Sequence, residues 1–329
     1  MPPLTFEPIL KRIRWGGRRL GTVLGKPIGD ASDYAESWEV VDHGDDQSVV
    51  DDGPLAGRTL SELVREDGDR LFGRSLETLR RPDQFPLLIK FLDASDRLSV
   101  QVHPDDELAR RYDAAENGKT EAWVILDAEP GAVLYAGLRP SVDAASLRRA
   151  VEEDRVEEVL HTIPVTAGQC IFIPAGTVHA IGEGVLLAEV QQSSDLTFRL
   201  SDWGRVGADG KPRQLHLEES IEATDFSRGP VDPVTPRPVD GGELLCECPF
   251  FAIRRRSLPT GASWDVPQGE CRILIGVEGS GSVSAEGHTF DASRGRTVVC
   301  PGVPDGPVTA VASEDWTLLD VTCGPTTPS

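Results

Sequence analysis

Gln101 and His103 stand two residues apart in RLSVQVHPDDE, residues 97–107. A β-strand sends successive side chains to opposite faces. Gln101 and His103 would therefore share one face with Ser99, while Val100 and Val102 share the other. An amide oxygen and an imidazole so placed can chelate one ion. Two groups further along complete a set. Glu121 opens the run EAWVILDA and would share a face with Trp123 and Ile125, with Lys119 two residues earlier. His179 follows a Pro174-x-Gly176 turn in GQCIFIPAGTVH. Singly, each has an ordinary explanation: a lone histidine is more often a satisfied core group, and an acid at a strand start is usually solvated. Together, two imidazoles, a carboxylate and an amide make a four-ligand set with room left for water or substrate. That chemistry suits a catalytic zinc with an open position, and manganese or iron would fit it too.

These residues need strands to carry them. Short apolar runs punctuated by 33 Gly and 25 Pro predict an all-β body. LLIKFLDA (87–94), LSVQVH (98–103), AWVILDA (122–128), CIFIPA (170–175), VLLAEVQ (185–191) and LTFRLSD (196–202) all read as strands. Helices are few. Thr59 and Glu62 form a capping-box pattern, DDELARRY follows His103 directly, and residues 143–163 give the longest helical pattern, through Leu147, Val151, Val159, Leu160 and Ile163. A Pro- and Gly-rich linker is expected at 227–242, and a second run of short strands follows it. There the stretch RGRTVVCPGVPDGPVTA (294–310) echoes AGQCIFIPAGTVHAI (167–181) without its histidine. The expected architecture is thus two related β-sandwiches: residues 1–226 with the metal site and small helical elements, and 243–329 with no metal.

The composition narrows the function. A net charge of −21 argues against nucleic acid and anionic membranes, which are bound through clustered Lys and Arg. A few convergent basic groups can still hold one small phosphate. No apolar signal segment or membrane-spanning run is evident, and six scattered cysteines suggest reduced thiols in the cytoplasm rather than a disulfide framework.

The spacing from Gly168 through Pro174 and Gly176 to His179 resembles the second motif of the cupin fold, a small jelly-roll barrel. The fold class it implies is all-β, two cupin-like jelly rolls (a bicupin) with a few short helices. The first motif departs from the common His-x-His pair, since Gln101-x-His103 stands there and Glu121 lies well beyond it. With that departure the chain resembles the class I mannose-6-phosphate isomerases, most closely their short bacterial form. The blocks that carry the resemblance are RWGG (14–17), YAESWEV (34–40), FPLLIKFLDASDRLSVQVHPDDE (85–107), GKTEAW (118–123), AGQCIFIPAGTVHAI (167–181) and LLAEVQQSSDLTFRLSDWGR (186–205).

The resemblance implies one zinc held by Gln101, His103, Glu121 and His179. It also implies interconversion of mannose 6-phosphate and fructose 6-phosphate through an enediol. Arg199 matches the family's active-site arginine. Glu189 is the expected base and Lys119 its proton or charge partner or rival. Larger family members often carry a His just before this Lys, where Gly118 stands here, so a mechanism needing that His cannot run unchanged. Ser99 and Arg205 are expected phosphate contacts, Lys90 a sugar contact, and Trp15 and Glu36 walls of the pocket. The expected partner is a small phosphorylated sugar, with the chain a monomer or homodimer. Two other readings keep the metal: a cupin glucose-6-phosphate isomerase, and a non-enzymatic sugar-binding bicupin. The second would have no need of Glu189, Lys119 and Arg199 around an open ligand position.

Overall fold

A computed structural model describes residues 1–206 and 210–324. The protein is mostly β, arranged as two pairs of antiparallel sheets with a small two-stranded ribbon, Asp42–His43 against Asp46–Gln47. In the first pair, a six-stranded sheet runs in the order Ile9–Gly17, Tyr34–Val40, Leu87–Ala94, Val185–Gln192, Glu121–Ala128, Cys170–Ile173. It faces a five-stranded sheet in the order Phe198–Ser201, Val100–Val102, His179–Ile181, Val133–Leu138, Leu160–Pro164.

The second pair repeats the plan. Its six-stranded sheet runs Arg237–Val239, Gly242–Glu247, Phe251–Leu258, Trp316–Cys323, Arg272–Glu278, Thr297–Cys300. Its four-stranded sheet runs Ser263–Asp265, Thr309–Ala312, Gly281–Ala285, His288–Asp291.

The strand Val185–Gln192 is buried along its whole length, because both its faces are covered. Leu186, Ala188 and Val190 point into a core that also takes Phe251, Ile253, Ile273, Leu319 and Val321 of the second pair. The two six-stranded sheets therefore pack back to back. Val185 and Leu187 point the other way, onto Trp123, Ile125, Leu134 and Ile181 between the first pair of sheets. Glu189 and Gln191 continue that inward face, so the same alternation that builds the core ends in polar groups at one end of the sandwich. Each fully buried aliphatic side chain is worth roughly 1.5–3 kcal/mol against exposure, and this apolar interior holds the polar end in place.

The capping box at Thr59 and Glu62 forms and starts the helix Leu60–Phe72. The pattern at 143–163 does not form one helix. The helix covers Ala144–Glu152, the chain reverses through Asp154 at φ 54°, a 3-10 turn spans Val156–Val159, and Leu160–Pro164 is a strand. Pairing of Leu160 with Leu138 and Ile163 with Leu134 gives those apolar side chains a sheet to pack in. The first residues of the chain also join the second pair of sheets, where Leu4 bridges to Val299. Within 227–242 the chain already forms the edge strand Arg237–Val239.

Candidate active site and metal centre

Gln101 lies on Val100–Val102 and His179 opens His179–Ile181, and the two residues are direct partners in register. Val100 and Val102 pack away from the site, against Leu108, Leu147 and Phe198. His103 follows two residues after Gln101, and Glu121 starts the facing sheet's strand. These strands bring His103, Glu121 and His179 together with their candidate ligand atoms within 4.8 Å of one another.

The ring orientations are fixed. His103 Nδ1 bonds the carbonyl of Leu196 at 3.1 Å, and His179 Nδ1 bonds that of Thr177 at 2.8 Å. Each Nδ1 must be the donor to a carbonyl, which leaves each Nε2 as a lone pair. Both Nε2 atoms and Glu121 Oε2 are buried without a hydrogen-bond partner. Nε2 of His103 lies 3.6 Å from Glu121 Oε2, and Nε2 of His179 lies 3.3 Å from Oε1. Burial, with Lys119 and His179 nearby, lowers the His103 pKa well below its ordinary value, and burial brings His179 to about 4. Neutral imidazoles with converging, unpartnered lone pairs beside a carboxylate fit a divalent cation.

Glu121 of the cluster, with Gln101, lines a cavity of about 850 Å³, and His103 and His179 are buried beside it. Trp15, Glu36, Lys90, Ser99, Gln101, Lys119, Glu121, Glu189 and Arg199 all line it. Glu189 and Lys90 face each other across adjacent strands. Lys90 Nζ lies 3.8 Å from Glu189 and 3.5 Å from Glu36, over the ring of Trp38 at 4.6 Å. Trp38 Nε1 in turn donates to Glu36 at 2.6 Å. Burial works against the Lys90 charge, but Glu36 and Glu189 more than offset it and raise its pKa. Burial, together with the nearby Glu121 charge, pushes Glu189 up to about 7 against the opposing effect of Lys90 and Lys119. Lys119 Nζ sits 3.6 Å from Glu121.

Arg199 enters the cavity wall half-buried. Its Nη1 donates to the Gln214 carbonyl at 3.1 Å, and its Nε has no partner. Burial and the neighbouring Arg213 lower its pKa. Arg205 is not brought to the cavity: it is tied to Asp202, Asp96 and the carbonyl of Arg97. Arg213 lines the wall instead, with His216, whose Nδ1 accepts the Arg199 backbone N–H at 3.1 Å. Neither was singled out from the sequence, nor were Trp38 and Asp195, which also line the cavity. A basic residue and a histidine in GKPRQLH carry no periodicity that marks them.

Among the described residues of the second pair of sheets no such cluster forms, and other groups stand at the equivalent positions. Glu121 pairs with Ile173 and Gln191, and Arg272 occupies the same place against Cys300 and Thr322. Asp320 likewise stands where Glu189 does, opposite Arg254 in place of Lys90. Arg272 and Arg256 bond the fully buried Asp320 at 2.8 and 3.0 Å. An internal ion pair fills the position, and His288 is exposed on an outlying strand.

Comparison with known proteins agrees with this geometry. Residues 4–124 match the family model for the catalytic domain of type I phosphomannose isomerase. The chain is 38% identical to the mannose-6-phosphate isomerase ManA of Bacillus subtilis, covering 91% of this chain and 93% of that one. It is 33% identical to the mannose-6-phosphate isomerase of Streptococcus mutans, over 91% and 92% of the two chains. It also superposes on the crystal structure of the Bacillus subtilis mannose 6-phosphate isomerase with a TM-score of 0.86 at 27% identity, covering 98% of this chain and 99% of that one.

Proposed function

The chain belongs to the type I phosphomannose isomerase family, and from that premise we propose how its own residues interconvert mannose 6-phosphate and fructose 6-phosphate. The observation that carries the reading is the buried carboxylate of Glu189, near neutrality, lining the same cavity as Glu121 of a metal-ready His–Glu–His cluster.

The reaction removes the proton on C2 of the open-chain aldose and delivers one to C1 of the ketose. Glu189 is suited to be that base, because a pKa about 7 lets it both take and release the proton near neutral pH. As C2–H breaks, its electron pair forms the C1–C2 double bond and the C1 oxygen becomes negative. The hydroxyl proton on C2 must then reach the C1 oxygen, and Lys119 lines the cavity beside Glu121 as the group to relay it or balance the charge. Lys90 holds Glu189 and Glu36 in place and can bond a sugar hydroxyl. Arg199 offers an unpartnered N–H to the developing oxyanion, while Ser99 serves the phosphate and Trp15 walls the pocket. The phosphate role expected of Arg205 passes in this reading to Arg213, which reaches the cavity.

His103, Glu121 and His179 would hold a divalent ion, zinc in this reading, with Gln101 as the fourth ligand. When bound, it supplies positive charge against the oxygens on which negative charge develops. We read the two pairs of sheets as cupin-like units, 1–226 catalytic and 243–329 without metal, joined by 227–242. The shared strand order supports that division. The six unbridged cysteines support a reducing compartment, the cytoplasm.

The test is incubation of metal-loaded protein with mannose 6-phosphate in heavy water. Fructose 6-phosphate should form, with deuterium entering C1 or C2. Ketose from glucose 6-phosphate alone would move the reading to that sugar, and no product from either would leave a sugar-binding protein.

A further inference from the structure

One buried carboxylate outside the cavity ties together the segments that carry the cluster. Asp106 opens the helix Asp106–Tyr112, three residues after His103. Its neighbour Asp105 caps that helix, accepting from Leu108 N at 2.8 Å. Asp106 is therefore free to turn back, and it is only 8% exposed. Its Oδ1 accepts from Gly118 N at 2.9 Å and from Gln192 Nε2 at 2.9 Å. Its Oδ2 pairs with Arg80.

The strap continues from there. Gln192 Oε1 accepts from Thr120 N at 2.9 Å, and Gln192 N donates to the Thr120 carbonyl at 3.1 Å. Lys119 N donates to the Pro104 carbonyl at 3.0 Å, and Gly176 N to the His103 carbonyl at 2.8 Å. Thr120 Oγ1 accepts from Ala175 N at 3.2 Å. Residues 103–106, 118–121, 174–179 and 189–192 are thus locked to one another behind the site. They carry His103, Lys119, Glu121, His179 and Glu189. The approach is close: a Cβ on Gly118 would lie 2.5 Å from Asp106 N.

We propose that Asp106 is a positioning residue for the metal cluster and for Lys119, acting through the Gly118 N–H and Gln192. Removing its acceptor strands two buried donors, and the segment bearing Lys119 and Glu121 loses its anchor. Groups that orient metal ligands from behind typically cost about 10- to 100-fold in affinity or activity when removed. The Arg80 contact contributes little, because that guanidinium side chain is 63% exposed.

The proposal rests on the reading of the cluster as a metal site, and its test is read without substrate. Zinc affinity is measured by competition with a chelating dye. The visible spectrum of the cobalt-loaded protein reports ligand geometry, and kcat and KM are measured alongside. Asp106→Leu should weaken zinc about 10- to 100-fold, shift the cobalt bands and lower kcat by a similar factor. Asp106→Asn keeps an oxygen acceptor and should recover most of this, and Arg80→Met should stay near wild type. A folded Asp106→Leu protein with wild-type affinity and spectrum would overturn the proposal. So would Arg80→Met if it matched the loss. Should Asp106→Leu fail to fold, Gln192→Leu carries the same expectation, and its wild-type behaviour refutes it equally. Wild-type protein that binds zinc but leaves mannose 6-phosphate untouched would sink the functional reading and not the strap.

Discussion

Replacing Lys90 by Met should move the pH dependence of the reaction to higher pH. Lys90 is buried, and its Nζ lies 3.8 Å from Glu189. Two unit charges at that distance interact by about 4 kcal/mol with an effective dielectric constant of about 20. One pH unit corresponds to about 1.4 kcal/mol, so removing the ammonium can raise the Glu189 pKa by up to about 3 units. The base works deprotonated, and kcat/KM therefore rises as pH rises through its pKa. In the wild type that limb should lie at or below about 7, because a bound cation lowers it further. In Lys90→Met the limb should move up by at least one unit, and the difference survives metal loading because both proteins carry the ion. Lys90→Arg, which keeps the charge, should bring the limb back toward the wild-type position. The assay is a pH–rate profile from pH 5 to 10 at saturating metal, with metal content checked in each variant. A folded, metal-loaded Lys90→Met enzyme whose limb has not moved would show that Glu189 is not the group being titrated.

Other perturbations have equally definite outcomes. His103→Ala or His179→Ala should lose bound metal and activity together. The double variant should retain no stoichiometric metal by elemental analysis, since Arg272 and Asp320 fill the equivalent place in the second pair of sheets. Arg199→Ala should lower kcat by about 100- to 1,000-fold with a smaller change in KM, and Lys there should rescue in part. A normal kcat with raised KM would make it a phosphate clamp. Ser99→Ala should mainly raise KM. Leu319→Ala, in the core between the two six-stranded sheets, should cost about 2–5 kcal/mol by denaturant unfolding, and a loss under 1 kcal/mol would mean that core repacks freely.

Alternation and spacing point to the candidate metal ligands alone, while Lys90, Glu189, Arg199, Trp15 and Glu36 are legible only through the family resemblance. Gln101, His103 and Glu121 fall on inward faces because period two is rigid along a strand, and the Pro174–Gly176 turn predicts where His179 emerges. What could not be read depends on distant pairing. The helical pattern at 143–163 breaks because Leu160 and Ile163 find partners in Leu138 and Leu134, and nothing local announces that. Arg205 was expected in the cavity, but Asp96, over a hundred residues earlier, holds it outside. Arg213 and His216 reach the cavity from an irregular segment whose conformation has no sequence period. Asp106 reads locally as a helix-start acid, and its partners Gly118 and Gln192 appear only when three distant segments meet.

The back-to-back core has a consequence for how the enzyme meets dilution. Many sheets with an apolar outer face cover it with a second chain, and the cover is then lost as concentration falls. Here Phe251, Ile253, Leu319 and Val321 cover Leu186, Ala188 and Val190 from within one polypeptide. The local concentration of the cover is set by chain connectivity and stays high however few molecules a cell contains. The strand that presents Glu189 therefore keeps its support at any expression level, and separating the two halves would turn a concentration-independent fold into a bimolecular equilibrium.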